Sequence, residues 1–329
     1  MRIYHAPDDG IVVRGPAGSG PLRDSDGPLA RGLVARGDVP PREALERLIA
    51  SGPVDLHLHT SASDGLESPA QLMYRVLRSG LVGFAVSDHD TLSGVRDTAI
   101  ILDKLNQLGI KTPDLVPAVE ISTRDVEGGR HLLAYYTHGG EAEIESFLET
   151  QTLTRDVRNR RICERLAELG FPVDYEEVVL SAGHSIGRVH IAHALIRKGY
   201  VPDVQTAFER FLSSGRPAYV PRERVGIREA IATVLASGGL PVLAHPAHYG
   251  WCGRGGSFLR ERLEALVEVG LEGVEVVHGD NTPEQAAELA AAAKELGLLR
   301  TVGSDWHSLN RQGRRMFTSE DDFRELLLD

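Results

Sequence analysis

Short apolar runs alternate with amphipathic stretches along most of the chain, starting at Pro53. The apolar runs predict strands at residues 54–59, 82–87, 115–121, 131–136, 240–245, 273–277 and 299–303. Apolar residues at the helical period predict helices at residues 69–78, 95–108, 258–269 and 283–296. Strand–helix alternation of this kind is typical of an α/β protein with parallel strands and helices packed outside them. Seven strands favour a small barrel over the eight-stranded form.

Two parts of the chain depart from this alternation. Residues 141–226 show mainly helical patterns, which predict a helical cap inserted between the fourth and fifth strands. The barrel is therefore expected to be discontinuous, built from residues 53–140 and 227–329. Residues 1–52 are rich in Gly, Pro, Asp and Arg, with one short helical pattern near residues 42–49. We expect them to form an N-terminal extension of unknown role.

Composition limits the partners that the chain can have. A net charge of −11 argues against binding of long duplex nucleic acid, although a local positive site could still hold a small anionic substrate. No apolar run reaches the roughly 18 residues of a membrane span. Two cysteines in 329 residues cannot form a disulfide framework, which fits a reducing compartment. We expect a cytoplasmic enzyme with no membrane association and no obligate protein partner.

The first polar motif is DLHLHTSASDG, at residues 55–65. Because side chains alternate along a strand, Asp55, His57 and His59 share one face. Two imidazoles at positions i and i+2 near a strand end are well placed to bind one metal ion. Asp64 follows in a Ser/Gly loop, from which its carboxylate can reach a neighbouring ion. Taken alone, the motif is equally consistent with a polar strand face and a solvated loop.

Similar side chains recur at the ends of other predicted strands, with one histidine at the start of its strand rather than the end. The full set is His57, His59, Asp64, His89, Glu120, His131, His245, Asp305 and His307. Barrel active sites are built at the C-terminal ends of the strands, where several strands contribute to one point. A single aspartate at a strand end or a single histidine in the core can be satisfied by the nearby backbone. Nine such groups at the ends of several strands need other partners when they are buried. The pattern predicts a centre that binds several metal ions.

The segments DLHLHT, SDHD, AHP and SDWH, together with Glu120 and His131, resemble the motifs of the PHP (polymerase and histidinol phosphatase) superfamily. The resemblance covers about residues 53–310 in order and implies a distorted (β/α)7 barrel. It also implies that the nine residues above bind two to three divalent ions, with manganese expected first and iron or zinc as alternatives. Imidazole and carboxylate ligands suit these metals, whereas calcium prefers an all-oxygen set. We expect a metal-bound hydroxide to attack phosphorus, with no protein nucleophile.

Within the predicted cap, Arg188 and His190 precede an AF…FL…G.PAY run. This pattern is similar to the branch of tryptophan-operon-linked and nucleoside 3′,5′-bisphosphate phosphatase-like proteins, and the resemblance implies that both residues contact a substrate phosphate. Arginine suits that role because its planar fork can bind two phosphate oxygens. The implied activity is removal of the 3′-phosphate of a nucleoside 3′,5′-bisphosphate, degradation of short oligoribonucleotides from the 5′ end, or both.

Two alternatives remain open at this level. One is a monoesterase similar to histidinol-phosphate phosphatase, against which the cap motif argues. The other is a non-catalytic PHP module that regulates or binds a partner. Loss of ligand residues would favour that alternative, and all nine positions hold the expected residue type. The leading prediction is therefore a metal-dependent phosphoesterase that acts on a small phosphorylated nucleotide.

Overall fold

The computed structural model describes residues 39–137, 141–181, 186–221, 223–308 and 315–328. Within these ranges one eight-stranded sheet is formed by β1 (Val54–Leu58), β2 (Gly83–Val86), β3 (Asp114–Asp125), β4 (Gly128–Tyr135), β5 (Val225–Gly226), β6 (Leu240–Leu243), β7 (Gly273–His278) and β8 (Leu299–Gly303). The strand order is β1-β2-β3-β4-β6-β7-β8, and the short β5 pairs with β3. A parallel bridge between Leu58 and Trp306 joins the two ends of this order. The sheet is a nearly closed barrel, which confirms the predicted fold class.

The expectation that all strands are parallel is wrong for β4. This strand is antiparallel to both of its neighbours, with Ser122 of β3 opposite His131 and Leu243 of β6 opposite Leu132. Only two residues separate β3 from β4, and a connection that short can join antiparallel strands but not parallel ones. The reversal carries His131, near the start of β4, to the barrel end where the other strands finish. It therefore explains why this candidate ligand precedes its apolar run in the sequence.

The described helices are α1 (Pro41–Ser51), α2 (Pro69–Ser79), α3 (Ser93–Gln107), α4 (Glu141–Glu168), α5 (Tyr175–Ser181), α6 (Arg188–Arg197), α7 (Val204–Ala207), α8 (Ile227–Ala236), α9 (Gly256–Val267), α10 (Pro283–Glu295) and α11 (Arg324–Leu327). The predicted start of α2 is confirmed, because Ser68 accepts a hydrogen bond from the Gln71 backbone and Gln71 accepts one in return. This reciprocal cap satisfies two backbone donors at the helix start. None of the described helices is long and apolar enough to cross a membrane.

The N-terminal helix α1 is part of the barrel core. Leu45, Leu48 and Ile49 are buried in the main hydrophobic cluster. A Cβ on Gly83 at the start of β2 would lie 2.7 Å from a methyl group of Leu48, so the glycine allows the helix to pack closely on the strand. Residues 41–51 of the predicted extension therefore contribute to the stability of the barrel, while residues 1–38 lie outside the described residues.

The segment between β4 and β5 is helical where it is described, and most of it has its own core. A second hydrophobic cluster includes Ile162, Leu166, Ile191, Leu195 and Phe211. The first turns of α4 belong instead to the barrel, because Ile144 and Leu148 lie in the main cluster. On this basis we place the boundary between barrel and cap within α4 rather than at its first residue. We propose that the cap is a unit with its own core and that α4, which contributes to both cores, joins it to the barrel.

We predict that Leu45→Ala lowers the free energy of unfolding by about 2–5 kcal/mol, because it leaves a cavity at a fully buried position. Arg47→Ala, on the exposed side of the same helix, is the matched control and should change stability by about 0.5 kcal/mol or less. Urea unfolding followed by circular dichroism measures both. Equal stability of the two variants would show that α1 does not contribute to the core.

Candidate metal centre

Three non-glycine residues in the described ranges have a left-handed backbone: Asp90 (φ 53°), His245 (φ 31°) and Asp305 (φ 51°). They follow the C-terminal ends of β2, β6 and β8, and all three are buried. This conformation costs energy for residues with a Cβ. Such strain persists where the surrounding structure enforces it, commonly at functional sites. The barrel therefore concentrates backbone strain at the end where the predicted ligands lie.

The first group of predicted ligands contains His57, His59, Glu120 and Asp305, all buried. His57 Nε2 lies 3.1 Å from His59 Nε2, 3.5 Å from Glu120 Oε2 and 3.6 Å from Asp305 Oδ1. His59 Nε2 lies 3.3 Å from the same Glu120 oxygen and 3.2 Å from the same Asp305 oxygen. Two imidazoles from one face of β1 thus converge with two carboxylates from other strands.

The second group contains His59, Asp64, His89 and His307. Asp64 Oδ1 lies 3.0 Å from His307 Nε2 and 3.8 Å from His59 Nδ1, and Asp64 Oδ2 lies 3.7 Å from His89 Nε2. His307 Nδ1 lies 2.9 Å from the carbonyl oxygen of Asp305. Because a carbonyl only accepts, the proton of a neutral His307 sits on Nδ1 and a lone pair on Nε2 faces Asp64.

The third group contains His89, Glu120 and His131, and His245 lies beside it. Glu120 Oε1 lies 2.8 Å from His131 Nδ1 and 3.0 Å from His245 Nε2. Glu120 Oε2 lies 2.9 Å from His89 Nδ1. The three groups therefore contain eight of the nine predicted ligands, and the ninth, His245, contacts Glu120 of the first and third groups. Neighbouring groups also share His59 and His89.

The donor distances and the chemistry of the donors fit divalent metal ions. Atoms that bind one ion at about 2.0–2.2 Å lie roughly 2.8–3.6 Å apart at octahedral or tetrahedral angles. Separations in the first and third groups span that range, from 2.8 Å to 3.6 Å. Asp64 Oδ1, His89 Nδ1 and Glu120 Oε2 are buried without a hydrogen-bond partner among the described residues. Buried polar atoms normally have partners, and bound cations would supply them here.

Glu275 was not predicted, and it orients two members of the centre. This buried residue of β7 places Oε1 2.9 Å from His57 Nδ1, and its Oε2 accepts a hydrogen bond from the His245 backbone at 2.8 Å. A carboxylate on the far ring nitrogen fixes the tautomer of a metal-binding histidine and raises its basicity. The signal in the sequence was a single glutamate within the apolar run GVEVV, and a buried strand carboxylate needs a partner.

Asp88 and Asp55 also lie beside the centre and hold its backbone in place. Asp88 accepts hydrogen bonds from the Thr60 amide at 2.8 Å and from the Ser63 hydroxyl at 2.6 Å, which fixes the loop that carries Asp64. Burial raises the pKa of the Asp88 carboxyl. Asp55 accepts a hydrogen bond from the Ser304 amide at 2.9 Å, and burial raises its pKa to about 6. Both carboxylates act on loops rather than facing the ligand cluster.

Above the centre, a cavity of about 540 Å³ is lined by ligand candidates from the barrel and by cap residues. Arg188 lines this cavity, as its predicted role requires. Its guanidinium donates a hydrogen bond to the Leu212 carbonyl at 2.8 Å and lies over the ring of Phe208 at 5.3 Å. His190 is not among the lining residues. Its Nδ1 accepts a hydrogen bond from the Gly187 backbone N–H at 2.9 Å, at the N-terminal end of α6.

Arg224 lines the same cavity and was missed by the sequence analysis. Burial lowers the pKa of both Arg188 and Arg224, and repulsion between the two guanidiniums lowers that of Arg188 further. Among the described residues, neither arginine forms a salt bridge with a carboxylate. Arg155, by contrast, is paired with Asp90 at the barrel mouth. The cavity is therefore lined by metal-ligand candidates and by two partly buried cations that form no salt bridge among the described residues, although Asp90 lies near enough to Arg224 to attract it.

We predict that Glu275→Gln weakens metal binding by about 10–100-fold. The carboxylate accepts from both His57 and the His245 backbone, whereas the amide NH2 of glutamine would face one of these N–H groups as a second donor. Competition with a chelator of known affinity measures the change. Glu268→Gln, on an exposed residue beyond α9, is the control and should bind metal as the wild type does. Unchanged affinity in Glu275→Gln would show that its hydrogen bonds to His57 and His245 do not support the centre.

Comparison with known proteins places this geometry in a family. No protein-family model matches the chain. The 5′-3′ exoribonuclease of Haemophilus influenzae is 34% identical over 253 residues, which cover 77% of this chain and 89% of that relative. The 3′,5′-nucleoside bisphosphate phosphatase of Chromobacterium violaceum is 28% identical over 274 residues, which cover 82% of this chain and 92% of that relative.

A solved structure agrees with these relatives. A chain from Bifidobacterium adolescentis, assigned as a metal-dependent phosphoesterase, matches with a TM-score of 0.69 and 32% identity, over 85% of this chain and 98% of that one. The similarity thus extends over both the barrel and the segment between its strands. Together with the nearly closed barrel and the clustered histidines and carboxylates, it shows that the chain is an enzyme of the PHP superfamily of metal-dependent phosphoesterases.

Proposed function

We propose that this phosphoesterase hydrolyses a small phosphorylated nucleotide. The reaction is removal of the 3′-phosphate of a nucleoside 3′,5′-bisphosphate, cleavage of short oligoribonucleotides from the 5′ end, or both. The observation that carries the proposal is the position of Arg188 and Arg224, which form no salt bridge among the described residues and line one cavity with the metal-ligand candidates. One phosphorus would lie at the metal centre while a second phosphate meets the arginines.

In this proposal the nine predicted residues hold two to three divalent ions, manganese first, with iron or zinc as alternatives. Bound ions would supply a nucleophile from water near neutral pH and neutralise charge on the phosphate oxygens. The protein orients the ligands: Glu275 holds the His57 ring, and the Asp305 carbonyl fixes the tautomer of His307. Cys163 and Cys252 lie outside the centre, and burial raises the pKa of each thiol. Neither cysteine therefore serves as a nucleophile.

The two arginines determine the substrate class in this proposal. A guanidinium removed from water without a counter-ion is unfavourable, and a phosphate dianion would relieve that cost at both residues. Arg188 is held in place by the Leu212 carbonyl and the Phe208 ring, so little side-chain freedom is lost on binding. A cavity of about 540 Å³ is also within the usual range for small-ligand sites. These features suit a nucleotide that carries two phosphate groups.

The same cations argue against the monoesterase alternative. Histidinol phosphate carries a protonated amine, which two arginines would repel. The non-catalytic alternative is disfavoured because all nine candidate ligands lie close to one another. We further propose that the enzyme acts in the cytoplasm, since Cys163 and Cys252 are both free thiols.

We predict that Arg224→Ala and Arg188→Ala each reduce kcat/KM for a nucleoside 3′,5′-bisphosphate by about 10–100-fold, the equivalent of one charge-assisted contact. The same variants should change the hydrolysis of p-nitrophenyl phosphate much less, because that ester has no second phosphate. Arg197→Ala, at the exposed end of α6, is the control and should resemble the wild type on both substrates. Phosphate release with added Mn²⁺ measures all rates.

The substrate panel should also contain nucleoside monophosphates, histidinol phosphate, and short oligoribonucleotides with and without a 5′-phosphate. We expect the bisphosphate or the 5′-phosphorylated oligonucleotides to be hydrolysed faster than the monophosphates, histidinol phosphate and the oligonucleotides without a 5′-phosphate. Equal losses on the bisphosphate and on p-nitrophenyl phosphate would instead place the arginines at the reacting phosphate. No loss on either substrate would remove Arg188 and Arg224 from the substrate site.

We also predict that His57→Ala and Asp305→Ala lower metal content and turnover together, because each removes a side chain from the fully buried first group. Elemental analysis after reconstitution with Mn²⁺ measures the first quantity and phosphate release the second. Cys252→Ser is the control and should keep both. A protein that retains its full metal content without His57 or Asp305 would contradict their assignment as ligands.

A further inference from the structure

Three side chains outside the nine-residue centre form another cluster at the barrel mouth. His278 is the last residue of β7, His248 lies in the short 3-10 helix Pro246–Tyr249 after β6, and Asp280 follows β7. We infer that His248, His278 and Asp280 bind a further divalent transition-metal ion, at a site separate from the three groups already described. The inference does not depend on the proposed substrate.

The ligand atoms of these three residues are close enough to share one ion. One donor atom from each lies within 4.8 Å of the other two. His248 Nε2 and Asp280 Oδ2 are 3.2 Å apart, which is within the separation expected for two donors on one ion. The rings of His248 and His278 have their centroids 4.7 Å apart and meet edge to face. Two imidazoles and one carboxylate suit zinc, iron or manganese better than calcium.

The hydrogen bond of His278 shows which ring nitrogen faces Asp280. Its Nδ1 accepts the backbone N–H of Asp280 at 3.2 Å, so the one free lone pair of the neutral ring lies on this atom, and an ion bound there would replace that hydrogen bond. The proton of the neutral ring is then on Nε2, which lies 3.5 Å from Asp305 Oδ2. An ion bound at Nδ1 would leave the other ring N–H directed toward a carboxylate, which is the arrangement typical of a metal-binding histidine. His278 would thus connect the additional ion to a ligand candidate of the main centre.

Burial across the cluster is uneven, and this determines how tightly the ion would be held. The His278 side chain is fully buried, whereas those of His248 and Asp280 are 36% and 41% exposed. An ion here would keep water on its outer side and exchange more readily than ions in the buried groups. The competing interpretation is a simple surface ion pair between His248 and Asp280, which contributes little by itself. That interpretation involves only His248 and Asp280, whereas ligand atoms of all three residues, including the buried His278, lie within 4.8 Å of one another.

The experiment compares metal loading of the full-length wild type with that of His248→Ala and Asp280→Asn. Metal-free protein is dialysed against graded concentrations of Zn²⁺ alone, and bound zinc is counted by elemental analysis. We expect each variant to bind one ion fewer than the wild type, with the weakest step of the binding curve removed. The double variant should lose no more than either single variant. This difference of one ion is independent of how many ions the main centre holds.

Two controls keep the result specific. Glu284→Gln, an exposed acid at the start of α10, should load as the wild type does. Asp64→Asn should remove binding from the second group and leave the weakest step in place. Anomalous scattering at the zinc edge from crystals of the loaded protein should place an ion about 2.0–2.2 Å from His248 Nε2.

Two results would overturn the inference. Wild-type loading by both His248→Ala and Asp280→Asn, or no anomalous peak beside His248, would leave only a surface ion pair. Loss of two or more ions with an unchanged melting temperature would mean that these residues support the main centre rather than a separate site. A variant that melts early is replaced by His248→Gln, which retains a polar side chain of similar length at an exposed position.

Discussion

The metal centre depends on the contacts of one buried carboxylate. Glu120 has an oxygen within 3.5 Å of five imidazoles, those of His57, His59, His89, His131 and His245. Burial alone would raise the pKa of this carboxyl, but the surrounding imidazoles hold it well below its usual range. An ionised carboxylate in such a position is stable only with cations around it. Although burial alone would lower them, the neighbouring carboxylates raise the pKa values of His57, His59 and His89, so these imidazoles are protonated more readily in the metal-free protein. An imidazole must lose this proton to bind a metal ion, so metal binding and proton release are linked.

The barrel supplies this convergence, and one reversed strand completes it. Parallel strands deliver side chains at their C-terminal ends, which accounts for His57, His59, His245 and Asp305. His131 reaches the same end only because β4 runs the other way, opposite Ser122 of β3. The cap is attached to this rim through Arg155, which is paired with Asp90 and donates to the Ser122 hydroxyl at 2.9 Å. The strained backbone of Asp90 therefore lies where the barrel, the metal centre and the cap meet.

The candidate ligands are easier to recognise in the sequence than the residues that orient them. Histidines and acids at strand ends are visible in the sequence because the period of a strand is two residues and its end is marked by loop residues. Glu275 lies within its strand rather than at the end, and its partner is far away in the chain, since it contacts His57 across 218 positions. Asp88 does follow a predicted strand, but only the structure shows that it holds the loop of Thr60 and Ser63. His278 does end an apolar run, so its position at a strand end is visible in the sequence, as it is for the other histidines.

The sequence by itself determined the α/β class, the helical insertion and the nine candidate ligands, since these follow from periodicity, residue type and position relative to strands. Only the tertiary structure decided the direction of β4, the incorporation of α1 into the core and the boundary within α4. Only the tertiary structure also shows which arginines of the predicted cap have a carboxylate partner. Arg155 has a carboxylate partner, whereas Arg188 and Arg224 have none among the described residues. The physical reason is that a charge acquires its role from burial and from its neighbours, which the order of residues along the chain does not specify.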